Sequence, residues 1–125
     1  MVRMTVEALA VVRAYHHAWT TRNFQEAARQ LSDALVLEVP INEYASKAAF
    51  LNAVEMTREM TSSVDVLAEF GDADEAMLLY DMQLPMGDLR VAEHFTVIDG
   101  QITRIRQIHD TAALRATGLG QPAGR

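Results

Sequence analysis

The sequence contains no cysteine. Disulfides, thiolate metal centres and cysteine nucleophiles are thereby excluded. Lysine is nearly absent as well: Lys47 is the only one, and the other ten of the 11 bases are arginine. Against 17 acidic residues these bases leave a formal net charge of -6. Nucleic acid and anionic membrane surfaces, which attract basic patches, are therefore not expected partners. No run of 18 apolar residues occurs, so no segment reads as a membrane-spanning helix. The first residues, MVRMTVEALAVV, lack the charged region, apolar stretch and cleavage site of a secretion signal. A soluble, cytoplasmic protein is the expectation. There is no HxH, HExxH or His/Asp cluster at ligand spacing, and no GxSxG or phosphate-cradling glycine loop. The GLGQPAG stretch in the tail comes too late, with no strand before it. Neither a metal nor a cofactor is expected.

What remains is a chain of 125 residues, half of them hydrophobic and 22% charged. That is the size of one domain and the composition of an ordinary globular protein. The domain is expected over residues 5–116, followed by a flexible tail over 117–125. The apolar spacing predicts a helix from Thr5 to about Thr21, with Val11, Val12, Tyr15, Ala18 and Trp19 on one face. Asn23 caps a second short helix ending near Leu31. A strand over Leu35–Val39 stops at Pro40. Ser46 caps a third helix, Lys47 to about Met60, with Phe50, Leu51 and Val54 on one face. Four strands follow. Val64–Phe70 alternates, with Val64, Val66, Ala68 and Phe70 on one side. Ala76–Leu84 is apolar on both sides, which predicts burial of both. Leu89–Ile98 and Gln101–His109 form a hairpin about Asp99-Gly100. Helices first and antiparallel strands after make an α+β protein.

Glu93 is the most informative residue. It shares a strand face with Val91, Phe95 and Val97, and a carboxylate there must be paired, hydrogen-bonded or neutral. Either it pairs with an arginine of the neighbouring strand, Arg104 or Arg106, or burial tunes it for proton transfer. Tyr15 sits on the apolar face of the first helix, as a core aromatic or as a hydroxyl donor. His109 ends the last strand, either bonded to a loop or acting as acid or base. His94 should point away from Glu93's face.

The segments AVVRAYHHAW, NFQEAARQLSDALVLEVP and AEHFTVIDGQITRIRQIHD, in this order, resemble the nuclear transport factor 2-like superfamily. The nearest flavour is the SnoaL-like group of polyketide cyclases, ketosteroid isomerase and limonene epoxide hydrolase. The resemblance covers about residues 5–116. It implies a cystatin-like α+β barrel, a strongly curved, mostly antiparallel sheet wrapped around the helices and a deep apolar pocket. It further implies a small hydrophobic ligand and a homodimer through the outer sheet face. Glu93, Phe95, Ile105, Gln107 and His109 would face the pocket, with Tyr15 and Trp19 on the helical wall. Val39, Phe50 and Tyr80 would complete the ligand contacts. By comparison with the isomerase, Tyr15 and Glu93 fall where its two oxyanion donors lie. Its general base, an aspartate before a proline, is replaced here by Val39, and Glu38 should point to the opposite face. His109 is left as a candidate base, which makes Tyr15, Glu93 and His109 the candidate catalytic set. The hydrolase's Asp-Arg-Asp arrangement is not retained: Asp81 could match one aspartate, but Leu79 stands where the arginine would be. Two activities fit this implied pocket. One is acid/base isomerisation, cyclisation or hydration of an oxygen-bearing substrate. The other is binding or dimerisation without chemistry.

Overall fold

The structure, a computed structural model, describes residues 7–40 and 43–112. The expected helix start at Thr5, the outer ends of the 5–116 domain and the 117–125 tail lie outside the described residues. The elements run α1 (Ala8–Thr20), α2 (Phe24–Gln30), β1 (Leu31–Glu38), α3 (Lys47–Met60), β2 (Ser63–Gly71), β3 (Glu75–Leu84), β4 (Gly87–Ile98) and β5 (Gln101–His109). Two of the expected caps form. The Asn23 side chain accepts from the Glu26 amide, and Ser46 accepts from the Ala49 amide. Asp99 and Gly100 both adopt positive φ, 52° and 76°, the geometry of a tight Asp-Gly hairpin turn.

The strands form one curved open sheet in the order β1-β5-β4-β3-β2. All neighbours are antiparallel except β1, which runs parallel to β5. The α1 helix crosses the inner face and meets β2, β3, β4 and β5. Its buried stripe is the one the spacing predicts: Val11, Val12, Tyr15, Ala18 and Trp19, together with Ala8 and His16. No helix among the described residues is long and apolar enough to cross a membrane.

Three details depart from simple sequence periodicity. First, β1 starts at Leu31, where the sequence suggested the end of a helix. Leu31 is fully buried, pairs with Ile102, and its carbonyl accepts a 2.8 Å bond from Lys47 Nζ. Second, the β2–β3 register shifts between Val66 and Ala68, leaving Leu67 as an extra residue. A bulge of this kind reverses which side chains face inward. Val64 and Glu69 therefore pair with the inward Met82 and Leu78, while Phe70 pairs with Met77 on the outer face and is 72% exposed. The expected common face for Val64, Val66, Ala68 and Phe70 is thus split. Third, a similar shift between Thr96 and Val97 makes Thr103 the extra residue of β5. Ile102 and Ile105, on opposite phases in strict alternation, are consequently both fully buried.

His16 lies in α1 against the rings of Trp19 and Tyr80, with centroids 5.2 and 4.9 Å away. Only 7% of it is exposed, and neither ring nitrogen has a hydrogen-bond partner. Burial lowers its pKa from 6.5 to about 4; Glu69 opposes the shift weakly, and His17 adds to it. A depressed pKa of this kind stabilises the fold fully above pH 6.5, and that contribution is lost as the pH falls through 4. The ceiling is about 3 kcal/mol. Chemical denaturation from pH 7.5 down to 4.5 should show stability falling, and His16→Phe should flatten that limb.

Candidate functional site

Rows of paired inward residues cross the sheet and build the site. Tyr80, Val91 and His109 form one row over β3, β4 and β5. Leu78, Glu93 and Gln107 form the next, and Ala76, Phe95 and Ile105 the one after. Successive rows lie about 7 Å apart along the strands. The first row, Glu93 and Gln107 of the second, and Met82 and Leu89 nearer the β3–β4 turn line, with α1 and α3, a cavity of about 410 Å³, within the usual range for a small-molecule site.

Tyr15, Trp19, Val39, Phe50, Tyr80, Glu93, Gln107 and His109 all line this cavity. Phe95 and Ile105 do not. They belong to the deeper row, fully buried, and the ring of Tyr15 meets Phe95 edge-on at 6.1 Å. Tyr15 thus separates the cavity from the core beneath it. Sequence reasoning missed Tyr44, Met60, Met82, Leu89 and Val91 as lining residues. For α3 a signal was present: Ala53, Val54 and Thr57 follow Phe50 at helical spacing. The two cations of α3 are held elsewhere. Arg58 Nε donates to the Thr20 carbonyl at 2.6 Å, and Lys47 is bound at Leu31 and Asp33.

Glu93 is almost wholly buried and has no arginine partner among the described residues. Its Oε1 accepts from the Tyr80 hydroxyl at 2.6 Å, and its Oε2 accepts from Gln107 Nε2 at 2.9 Å. Arg106 instead pairs with Glu38 on the outer face. Burial raises the Glu93 pKa, and the bonds from Tyr80 and Gln107 only partly offset this. Burial first and the nearby Glu93 second push both Tyr15 and Tyr80 well above the ordinary tyrosine range, so both remain protonated donors. The Tyr80 hydroxyl is committed to Glu93. The Tyr15 hydroxyl has no partner among the described residues, although its side chain lines the cavity.

His109 Nδ1 lies 3.0 Å from the Asp110 carbonyl. A carbonyl only accepts, so Nδ1 carries the proton of that bond, and Nε2 of the neutral ring keeps its lone pair. Asp81 lies outside the site, bonded to Arg90 at 2.8 and 3.0 Å. His94 also points outward, with Nε2 2.8 Å from Glu75.

The curved sheet and its helical cover are those of the nuclear transport factor 2-like superfamily, with its cystatin-like fold. Residues 12–105 match the SnoaL-like domain, and the chain belongs to that family. A crystal structure of a protein from Kribbella flavida DSM 17836 is similar, with a TM-score of 0.82 and 36% identity, covering 89% of this chain and 93% of that one. A nuclear transport factor 2-like protein from Cytophaga hutchinsonii ATCC 33406 gives a TM-score of 0.77 at 19% identity, over 92% and 99% of the two chains. A steroid delta-isomerase from Pseudomonas aeruginosa gives 0.74 at 16% identity, over 93% and 90%. The last two show likeness of fold alone. No curated protein matches the chain.

Removing the Tyr80 hydroxyl should expose how Glu93 is held. Tyr80→Phe leaves a buried carboxyl short of one donor, costing about 1–3 kcal/mol in urea denaturation. The Glu93 pKa, followed by carboxyl-carbon NMR, should rise further. An unchanged titration would show that the bond does not govern the carboxyl.

Proposed function

We propose that the cavity binds a small hydrophobic molecule bearing a carbonyl or hydroxyl and catalyses its isomerisation, cyclisation or hydration by proton transfer. The observation that carries this reading is the Tyr15 hydroxyl, without a partner among the described residues, on the wall of a cavity that also holds the buried carboxyl of Glu93. Tyr15 donates a hydrogen bond to the substrate oxygen. Glu93, its proton retained by burial, is the second donor: Tyr80 occupies Oε1, and the proton on Oε2 points to the substrate while Gln107 bonds the same oxygen from the side. Two donors preset at a developing oxyanion lower the barrier without reorganising in the reaction. His109 Nε2 takes or returns the proton at carbon or water. Trp19, Val39 and Phe50 contribute the apolar contacts that hold the ligand body.

A binding role without chemistry is the second reading. Val39, in place of a carboxylate at the position of the isomerase base, favours it. Proton exchange distinguishes the two. Uncharged cyclic ketones incubated with the protein in heavy water should gain deuterium beside the carbonyl. Glu93→Gln and Tyr15→Phe should each slow that exchange by about 10²-fold or more at unchanged melting temperature. Ligands that bind with no exchange at all would establish the non-catalytic reading instead.

The same reading includes a homodimer through the outer sheet face. Apolar side chains remain exposed there: Phe70, Met77, Ile98 and Ile108, the last at 73%. An uncovered apolar surface of this kind favours association. Light scattering at micromolar concentration should give twice the chain mass, and Ile108→Asp together with Met77→Asp should give the monomer. A wild-type monomer would refute the dimer.

A further inference from the structure

We propose that Thr57 on α3 is a second polar anchor of the cavity, so that the ligand is an elongated molecule with a hydrogen-bonding oxygen at each end, one held at Tyr15 and Glu93 and the other at Thr57. This rests on the ligand-binding reading above and adds the class of compound the pocket accepts.

Four threonines lie within or directly after α1 and α3, and one of them behaves differently. Thr20, Thr21 and Thr61 each turn the hydroxyl back onto the carbonyl one helical turn earlier, at 2.8, 2.7 and 2.6 Å. This back-bond is the local outlet for a helical threonine hydroxyl. The Thr57 hydroxyl has no such bond, nor any other partner among the described residues; only its backbone carbonyl is used, by Thr61. Thr57 is half-buried and lines the cavity together with Phe50, Ala53 and Val54. An unpaired hydroxyl thus belongs to an otherwise apolar helical stripe.

The remaining polar groups of the lining are placed elsewhere or are engaged. Tyr80 and Gln107 donate to Glu93, and His109 is bonded through Nδ1 to the Asp110 carbonyl, all on the sheet. Tyr15 and the indole of Trp19 stand on α1. Tyr44 is engaged, with its ring 5.7 Å from that of Phe50. Asn52, also on α3, is exposed at the rim and keeps its water. Arg104 of β5 lies opposite Thr96 on the outer face and is not part of the lining. A ligand that fills the cavity takes water away from the Thr57 hydroxyl. An apolar ligand end leaves that hydroxyl unpaired, which weakens binding, whereas an oxygen there restores the bond. The other oxygen of the ligand is held across the cavity at Tyr15 and Glu93, so the second belongs at the far end of the molecule. Trp19, Val39 and Phe50 cover the apolar middle.

Two rigid ketones of nearly equal volume test this, 6-hydroxy-2-acetonaphthone and 6-methyl-2-acetonaphthone, which differ only at the end far from the carbonyl. Their Kd values are measured by calorimetry at pH 6.5, where both are uncharged. The hydroxy ketone should bind the wild-type protein about tenfold tighter than the methyl ketone. Thr57→Val should abolish that preference while leaving the methyl ketone bound at least as tightly as before, with the melting temperature unchanged. Thr57→Ser, which keeps a hydroxyl, should retain the preference, and Asn52→Ala should leave it in place. Equal binding of the two ketones by the wild-type protein overturns the proposal and leaves the ligand-binding reading standing. A preference that survives Thr57→Val, or that disappears with Asn52→Ala instead, also overturns it. If neither ketone binds, the ligand-binding reading itself falls and this inference falls with it.

Discussion

A carboxyl group buried beneath an apolar helix is the constraint around which this protein is arranged. Removing Glu93 from water is costly unless its oxygens find partners. The structure supplies them from both flanking strands, Tyr80 on β3 and Gln107 on β5. For Tyr80, one row along on β3, and Gln107, directly opposite on β5, both to reach Glu93, the three strands must hold their register. Glu93 therefore ties the central sheet together as well as marking its polar end. The same two bonds keep Glu93 from needing an arginine, and among the described residues no guanidinium lines the space in front of it.

That space is kept open by the elements around it. Tyr15 closes the floor, standing on Phe95 and leaving the deeper row of the sheet to the core. Helix α3 forms the opposite wall, fastened near each end by a cation on a carbonyl: Lys47 on Leu31 and Arg58 on Thr20. These bonds hold α3 beside the sheet while its apolar side chains line the cavity instead of filling it. The result is a largely apolar pocket with Glu93, Tyr80, Gln107 and His109 at the sheet and Asn52 and Thr57 on the α3 wall. That distribution orients a ligand by its polar groups.

Among the sheet's register shifts, those in β2 and β5 each reassign side chains. The extra residue Leu67 turns Phe70 outward beside Met77 and sends Glu69 inward toward Arg13 of α1, with which it forms an ion pair. The extra residue Thr103 lets Ile102 and Ile105 share the core although their spacing is odd. Bulges increase local twist, and a strongly bent sheet needs them. The β2 bulge adds Phe70 to the outer face, where Met77 and Ile98 already lie by the plain alternation of β3 and β4.

Much of this was legible in the chain itself. Helical spacing determined the buried stripe of α1. Asn23 and Ser46 determined where α2 and α3 begin, and Asp99-Gly100 determined the final hairpin. These are local effects, decided by a few neighbouring residues and backbone sterics. A lone carboxylate on an apolar strand face also singled out Glu93. Its partners were another matter. Two arginines on the next strand were plausible, and the choice of Tyr80 and Gln107 depends on register and on which face each residue takes. The boundary between pocket and core, which excludes Phe95 and Ile105 and includes Tyr44 and Met60, depends on where α1 and α3 rest against the sheet. Bulges, registers and helix placement are set by packing between segments far apart in sequence. No local pattern encodes them, and only the tertiary structure decided them.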